Sequence, residues 1–136
     1  MARWLLKTEP TSYCWDDLVR EKRAVWDGIE NALALIHLRA AAVGDETLIY
    51  HTGKERRVVG VARIAKAPYR DPKQSDPKLV VVDIVPVRAL TSPVTLAQIK
   101  SDPFFSGWDL LRLSRLSFMP APDPIWEKIL KLSAGR

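Results

Sequence analysis

Residues 46 to 64 read ETLIYHTGKERRVVGVARI. Residues 46 to 51 read as a strand ending in Tyr50 and His51, a charged tip spans Gly53 to Arg57, and Val58 to Ile64 read as a second strand, so the stretch predicts an antiparallel hairpin. Gly60 weakens the second strand unless another backbone or a ligand approaches it closely. Downstream, Pro68 to Lys78 reads as a loop and Leu79 to Val85 as a further strand. A short helix from Leu96 to Ser101 follows Pro93. Residues 103 to 113 are a Gly-interrupted segment, Ser117 to Met119 a closing strand, and Asp123 to Leu132 a helix entered through Pro124 at a first-turn position.

Upstream, Trp4, Leu5 and Leu6 form a short strand stopped by Pro10. Trp15 to Arg23 is a short helix with acids early and bases late, with Ser12 as its cap. Ile29 to Ala42 is a helix closed by Gly44, apolar around much of its axis and therefore covered or covering something apolar. Strands dominate the middle without regular βαβ alternation, an α+β order, and a small curved or barrel-like, mostly antiparallel sheet flanked by short helices is expected. Neither GxGxxG nor GxxxxGK appears, so Rossmann and P-loop readings fit poorly.

At 136 residues, with 47% apolar and 27% charged residues, the chain suits one soluble globular domain, residues 1–136. The 21 Lys and Arg against 16 Asp and Glu give +5, which favours anionic partners. Residues 1 to 70 carry 12 basic and 9 acidic groups and residues 71 to 136 carry 9 and 7, so any positive face must be assembled by folding. A lone Cys14, a small packing residue beside Trp15, excludes an internal disulfide framework and sites needing two thiolates, and a reducing, cytoplasmic setting fits best. The N-terminal apolar run is too short for a signal peptide or a membrane span, so no membrane partner is expected.

The chain has two histidines, His37 and His51. His37 lies mid-helix in a packing position. His51 stands at a strand end beside Tyr50 and Thr52, where binding residues collect. Ser117, His51 and Asp27 form a conceivable nucleophile set, but no GxSxG elbow supports it, and no ligand pairing supports a metal, so neither metal nor cofactor is expected. Trp4, Trp15 and Trp126 read as core anchors. Trp26, read as a turn residue before a helix N-terminus, is either a hydrophobic plug or an aromatic face beside backbone donors, which suits a planar polar ligand such as a nucleobase. The Gly53 to Arg57 loop is either a solvated tip or, with Arg63, Lys66 and Arg70, part of a phosphate path. Arg115 is either a buried ion-pair partner of Asp27 or Asp109 or a pocket donor.

The order WLLKTEP (Trp4 to Pro10), Trp26-Asp27-Gly28-Ile29 with Asn31, Gly44-Asp45, Tyr50-His51-Thr52, Val59-Gly60-Val61-Ala62, Tyr69 with Asp71, Val82-Asp83 and Arg115-Leu116-Ser117 resembles the EVE domain family of the PUA-like superfamily. The resemblance covers essentially the whole chain. It implies a PUA-like barrel flanked by helices, with a pocket that recognises a modified base in DNA or RNA. It also implies ligand-binding roles at Lys7, Thr8, Trp26, Asp27, Gly28, Asn31, Tyr50, His51, Thr52, Arg115 and Ser117. Departures gather at Glu30 and in Ala32 to Ile36, where relatives carry arginines, amides and an aromatic; losing arginines there implies weaker or differently placed phosphate contacts.

The reading that results is a non-catalytic binder that takes one modified base of DNA or RNA into a cage around Trp26, Thr8, Tyr50 and His51, with Asn31, Asp27 and Ser117 reading the base edge. Two alternatives stand beside it: a nucleotide- or nucleic-acid-processing enzyme using His51 as base, and an adaptor working through the apolar helix 29 to 42.

Overall fold

The hairpin lies at the centre of a six-stranded sheet in the computed structural model, which describes residues 1–135. Strands β1 (Arg3–Thr8), β2 (Ala24–Trp26), β3 (Glu46–His51), β4 (Arg57–Arg70), β5 (Val80–Thr95) and β6 (Phe118–Pro120) run in the order β2-β5-β4-β3-β1-β6. Among the described residues the β1–β3 pair is parallel and the other four pairs are antiparallel. Helices α1 (Trp15–Glu21), α2 (Ala32–Ala40), α3 (Leu96–Ser101), α4 (Asp109–Arg112) and α5 (Asp123–Ser133) flank it, with a 3-10 turn at Pro103–Phe105. Of the two shapes expected, the open curved sheet is the one found.

Several boundaries differ from the sequence reading, each for a local reason. The helix expected over 29–42 begins only at Ala32, because the Asn31 side chain accepts the Ala34 N–H at 3.0 Å and holds Asn31 itself extended. Its other end stops at Ala40, and the Ala42 N–H donates to Asp45 Oδ2 at 2.9 Å instead of continuing the helix. Gly44, at φ +93°, belongs to the turn into β3. At α1 the N-cap is Cys14 rather than Ser12: the Cys14 N–H donates to Asp17 Oδ2 at 2.9 Å. Lys22 at φ 67° ends that helix, which turns Arg23 out of it.

Trp26 is likewise a strand residue, paired with Val82, and five residues separate it from α2. β4 runs through Pro68 and β5 through Pro86 and Pro93, so the expected loop shrinks to residues 71–79. Prolines are accommodated because the β4–β5 ladder slips: Pro86 faces Ala62 where the register shifts between Val61 and Ala62.

One face of α2, with Ala34, Leu35 and Leu38, is buried, while Leu33 and Ile36 are exposed. The core holds Leu5, Leu6, Leu48, Ile49, Ile64, Ile84, Phe105 and Phe118, and Trp4 stacks on Phe118 with ring centroids 4.9 Å apart. Trp4, Trp15 and Trp126 are all buried as core anchors. His37 sits mid-helix with its ring tilted toward Trp4. Buried Asp45 accepts three N–H groups, from Ala2, the Trp4 indole and Ala42, and so ties the chain start, β1 and the end of α2 together.

Gly60 has the close neighbour its position calls for, and it is neither backbone nor ligand. The Trp15 ring lies over it, and a Cβ there would come within 2.6 Å of the ring. Gly60→Ala forces α1 off the sheet or strains the strand, so urea unfolding should show a loss of about 1–3 kcal/mol, as overpacking typically costs. A variant as stable as the parent would mean that α1 shifts freely.

Candidate functional site

The C-terminal end of β1 is where the sheet leaves side chains free to meet a ligand. A cavity of about 490 Å³ opens there. Lys7, Thr8 and Glu9 supply one wall, Tyr13 and Glu21 bracket α1, and Arg23 to Asp27 supply the other wall from β2. β1 and β2 stand four strand spacings apart in the sheet order, about 19 Å if the sheet were flat. Both line one cavity, so the sheet must curl, and the register shifts along β4 and β5 are the local devices that bend it.

Two aromatic rings shape the opening. Tyr13 and Trp26 meet edge to face, with centroids 5.5 Å apart and planes at 79°. The Tyr13 hydroxyl donates to Glu21 Oε1 at 2.7 Å, while the Tyr13 carbonyl accepts the Thr8 hydroxyl at 2.7 Å. Tyr13 is thus fixed at both ends. Burial, then the Glu21 carboxylate, push its phenol well above the ordinary range, so it stays protonated. Arg23 on the β2 side is held by Asp83, through Nε at 3.1 Å and a second guanidinium nitrogen at 2.8 Å, and the Tyr69 hydroxyl donates to the other Asp83 oxygen at 2.5 Å. Burial pushes the Asp83 carboxyl up, but Tyr69, Arg23 and Lys66 together outweigh it and hold it below the usual carboxylate range. Tyr69 is raised to about 12, chiefly by that same hydrogen bond.

The charges at the cavity are mixed. Glu9 is occupied by the backbone N–H and hydroxyl of Thr11, and Glu21 by Tyr13. Lys7 donates to the Ser114 carbonyl at 3.0 Å, and its half-buried ammonium is pulled below the ordinary lysine value by desolvation. Asp27 makes no hydrogen bond or ion pair among the described residues and is exposed at the mouth. It is the lining carboxylate with its full acceptor capacity free.

The expected site residues separate into three groups. Lys7, Thr8, Trp26 and Asp27 line the cavity, and Gly28 follows Asp27 at φ +81°. Tyr50, His51 and Thr52 lie beside it without lining it. Tyr50 and His51 are the register partners of Lys7 and Thr8, both buried, and the Thr52 N–H and hydroxyl donate to the Thr8 carbonyl. His51 spends both ring nitrogens on structure. Its Nε2 accepts the Trp15 N–H at 3.0 Å, which leaves the proton on Nδ1, 2.8 Å from Glu55 Oε1. That bond, against some burial, holds the Glu55 carboxyl below its ordinary value. His51 therefore braces α1 against β3 with both ring nitrogens engaged, and it does not line the cavity.

Asn31 and Arg115 form the third group, in a neighbouring cavity of about 320 Å³ that also includes Ser114. Lys7, through Ser114, connects the two. Arg115 is exposed, and among the described residues it pairs with neither Asp27 nor Asp109, the latter being held by Arg112 at 2.7 Å. Ser117 anchors the same strand end, its carbonyl accepting the Lys7 N–H at 2.8 Å. The path expected through Arg63, Lys66 and Arg70 is not formed. Arg63 pairs in register with Glu46, at the far end of β3, Lys66 sits over the Tyr69 ring, and Arg70 donates to the Ser75 carbonyl.

Sequence reasoning missed Tyr13, Glu21 and Arg23. The available signal was an aromatic residue between a strand end and a helix start, followed one helix later by a basic residue entering a strand. Among the described residues no cluster of His, Cys, Asp and Glu is placed to hold a metal, and no helix is long and apolar enough to cross a membrane.

The EVE domain family model matches residues 2–132. Thymocyte nuclear protein 1 of Homo sapiens is 31% identical over 126 residues, which is 74% of this chain and 56% of that protein, so the chain spans about half the length of the curated relatives it matches. Among solved structures, Rpa0253 from Rhodopseudomonas palustris is 34% identical with a TM-score of 0.93, covering 98% of this chain and 94% of that one. The human THYN1 protein in complex with 5-methylcytosine containing DNA is 27% identical with a TM-score of 0.91, covering 98% of each.

Replacing Asp83 by Asn should loosen Arg23 and Tyr69 together and cost about 1–2 kcal/mol at pH 7, discounted because the Arg23 end is half exposed. Since the folded-state carboxyl titrates below its unfolded value, its contribution is present above about pH 4 and is lost as the pH falls through the folded value. Urea unfolding at pH 7 and pH 3 should therefore show the gap between parent and variant closing at the lower pH. A gap that is constant across both would mean that Asp83 is not the linked group.

Proposed function

The chain belongs to the EVE domain family, and from that premise we propose that residues 1–136 are one such domain, which reads a modified base of DNA or RNA without chemically changing it. The observation that carries this reading is the Tyr13–Trp26 pair at the mouth of a cavity of about 490 Å³. That volume lies in the range of roughly 300–1,000 Å³ usual for small-molecule sites. A base drawn from its stack loses a few kcal/mol, and an aromatic face returns about 1–3 kcal/mol. Hydrogen bonds to the base edge must supply the rest, and Asp27, with its carboxylate unengaged, is the acceptor in position to do so.

The charge at the cavity supports a base over a phosphate. Three carboxylates, Glu9, Glu21 and Asp27, face two cations, of which Arg23 is already held by Asp83. The relative solved with 5-methylcytosine containing DNA supports the same assignment of ligand class. A binding role, rather than turnover, agrees with both His51 nitrogens being engaged in the fold. Cys14, a free thiol, agrees with a reducing compartment, the cytoplasm.

Fluorescence titration of matched oligonucleotides carrying 5-methylcytosine, other modified bases or none, in DNA and RNA, tests the reading directly. At least one modified base should bind tighter than its unmodified form, and Trp26→Ala should weaken that binding about tenfold or more. Equal affinity of parent and Trp26→Ala across the panel would sink the reading.

A further inference from the structure

Resting on that reading, we propose that the nucleic-acid strand crosses the C-terminal end of β1, with its phosphates held on one side by Arg115 and on the other by Lys54 and Arg56. The topology puts these cations where such a strand would run. β1 lies between β3 and β6, parallel to the first and antiparallel to the second. The segment leaving β3 and the segment entering β6 therefore emerge at the same end of β1, one on each side of it. Both segments are basic.

On the β6 side, Lys7 Nζ reaches the Ser114 carbonyl and the Lys7 N–H reaches that of Ser117, which seats the residues around Arg115 against the cavity wall. On the β3 side, the Thr52 N–H donates to the Thr8 carbonyl, and the tip comes so close to Glu9 that a Cβ on Gly53 would collide with its carboxylate. The tip thus sits on a lining residue. Arg56 holds φ 46°, a left-handed conformation uncommon for a residue with a side chain. Its carbonyl accepts the Leu96 N–H, which ties the tip to the start of α3.

Lys54, Arg56 and Arg115 are exposed and form no ion pair among the described residues, whereas Arg57 is neutralised by Glu55 and Arg112 by Asp109. A cation already matched with a carboxylate gains little by meeting a phosphate, and an unmatched one gains the full counterion-release term. The cavity between the flanks carries more acid than base, which repels phosphate from the centre and leaves the two outer positions to hold it. Base reading and phosphate holding are divided between the middle and the sides.

The test is the salt dependence of binding to a single-stranded DNA carrying one 5-methylcytosine and to its unmodified match. Arg115→Gln, and separately the double change Lys54→Gln with Arg56→Gln, should each lower the slope of log K against log salt concentration, by about 0.7 per phosphate lost. Both oligonucleotides should weaken by the same factor, because phosphate contacts carry no base information. Trp26→Ala should lower affinity at unchanged slope, and Lys131→Gln, on α5, should change neither. Unchanged slopes in the Arg115 or the Lys54 and Arg56 variants, with the base preference intact, would overturn the track alone. Lowered slopes without any modified-base preference across the panel would overturn the base-reader reading while leaving the track. Failure of the parent to bind any oligonucleotide of the DNA and RNA panel would overturn both.

Discussion

The Trp15 N–H, donated to His51 Nε2, is the contact on which the rest of the site depends. The first N–H groups of a helix have no partner within it. Here one of them is satisfied by a buried imidazole at the end of a central strand, so the start of α1 is fixed to the sheet at one point. The indole of the same residue lies on Gly60, which fixes the rotation of the helix about that point. A helix of seven residues is too short to be stable by itself, and its position has to come from such contacts. With α1 placed, Tyr13 precedes it and Glu21 closes it, and their hydrogen bond spans the length of the helix. The Lys22 turn then delivers Arg23 and Trp26 to the edge of the sheet.

The same chain of constraints explains why the cavity forms from elements distant in the sheet. The connection from β1 to its parallel neighbour β3 must cross over, and it does so through α1, β2 and α2. β2 pairs with β5 at the far edge. Were the sheet flat, Trp26 would be out of reach of Thr8. The slips of register along two long strands curl it, and the Asp83 carboxylate, on the strand that pairs with β2, pulls Arg23 and Tyr69 inward. The curl and the cavity have one cause.

Much of this was legible in the sequence, and the parts that were not share a physical origin. The hairpin at 46–64, the strand at Trp4 to Leu6 and the helix entered through Pro124 were set by short-range patterns of apolar residues and turn formers, which act within a few residues. β2 was hidden because three residues carry no periodicity, and its pairing partner lies nearly sixty residues away. The helix start was misplaced because apolar composition from Ile29 onward competes with the Asn31 cap, and the cap prevails once its side chain engages the Ala34 N–H. Lys7, Thr8, Trp26 and Asp27 were found at the cavity because a resemblance in ordered short words pointed to them. His51 was found by the same words, but sequence order says that a residue sits at a strand end and not whether both its nitrogens are already bonded within the fold.

The overall charge now has a narrower meaning. A net +5 on a chain of this length is an average over groups of unlike fate. Arg23, Arg57 and Arg112 are matched by carboxylates, and Arg63 stands at the opposite end of β3 from the cavity, near Glu46. Interaction between exposed charges decays over a Debye length of roughly 8 Å at physiological ionic strength, so distant cations contribute little to a ligand at the end of β1. What acts there is local: unmatched cations on both flanks and an acid-rich cavity between them. Such an arrangement favours an anion at the flanks over one inside the opening, and leaves the carboxylate of Asp27 unengaged at the mouth.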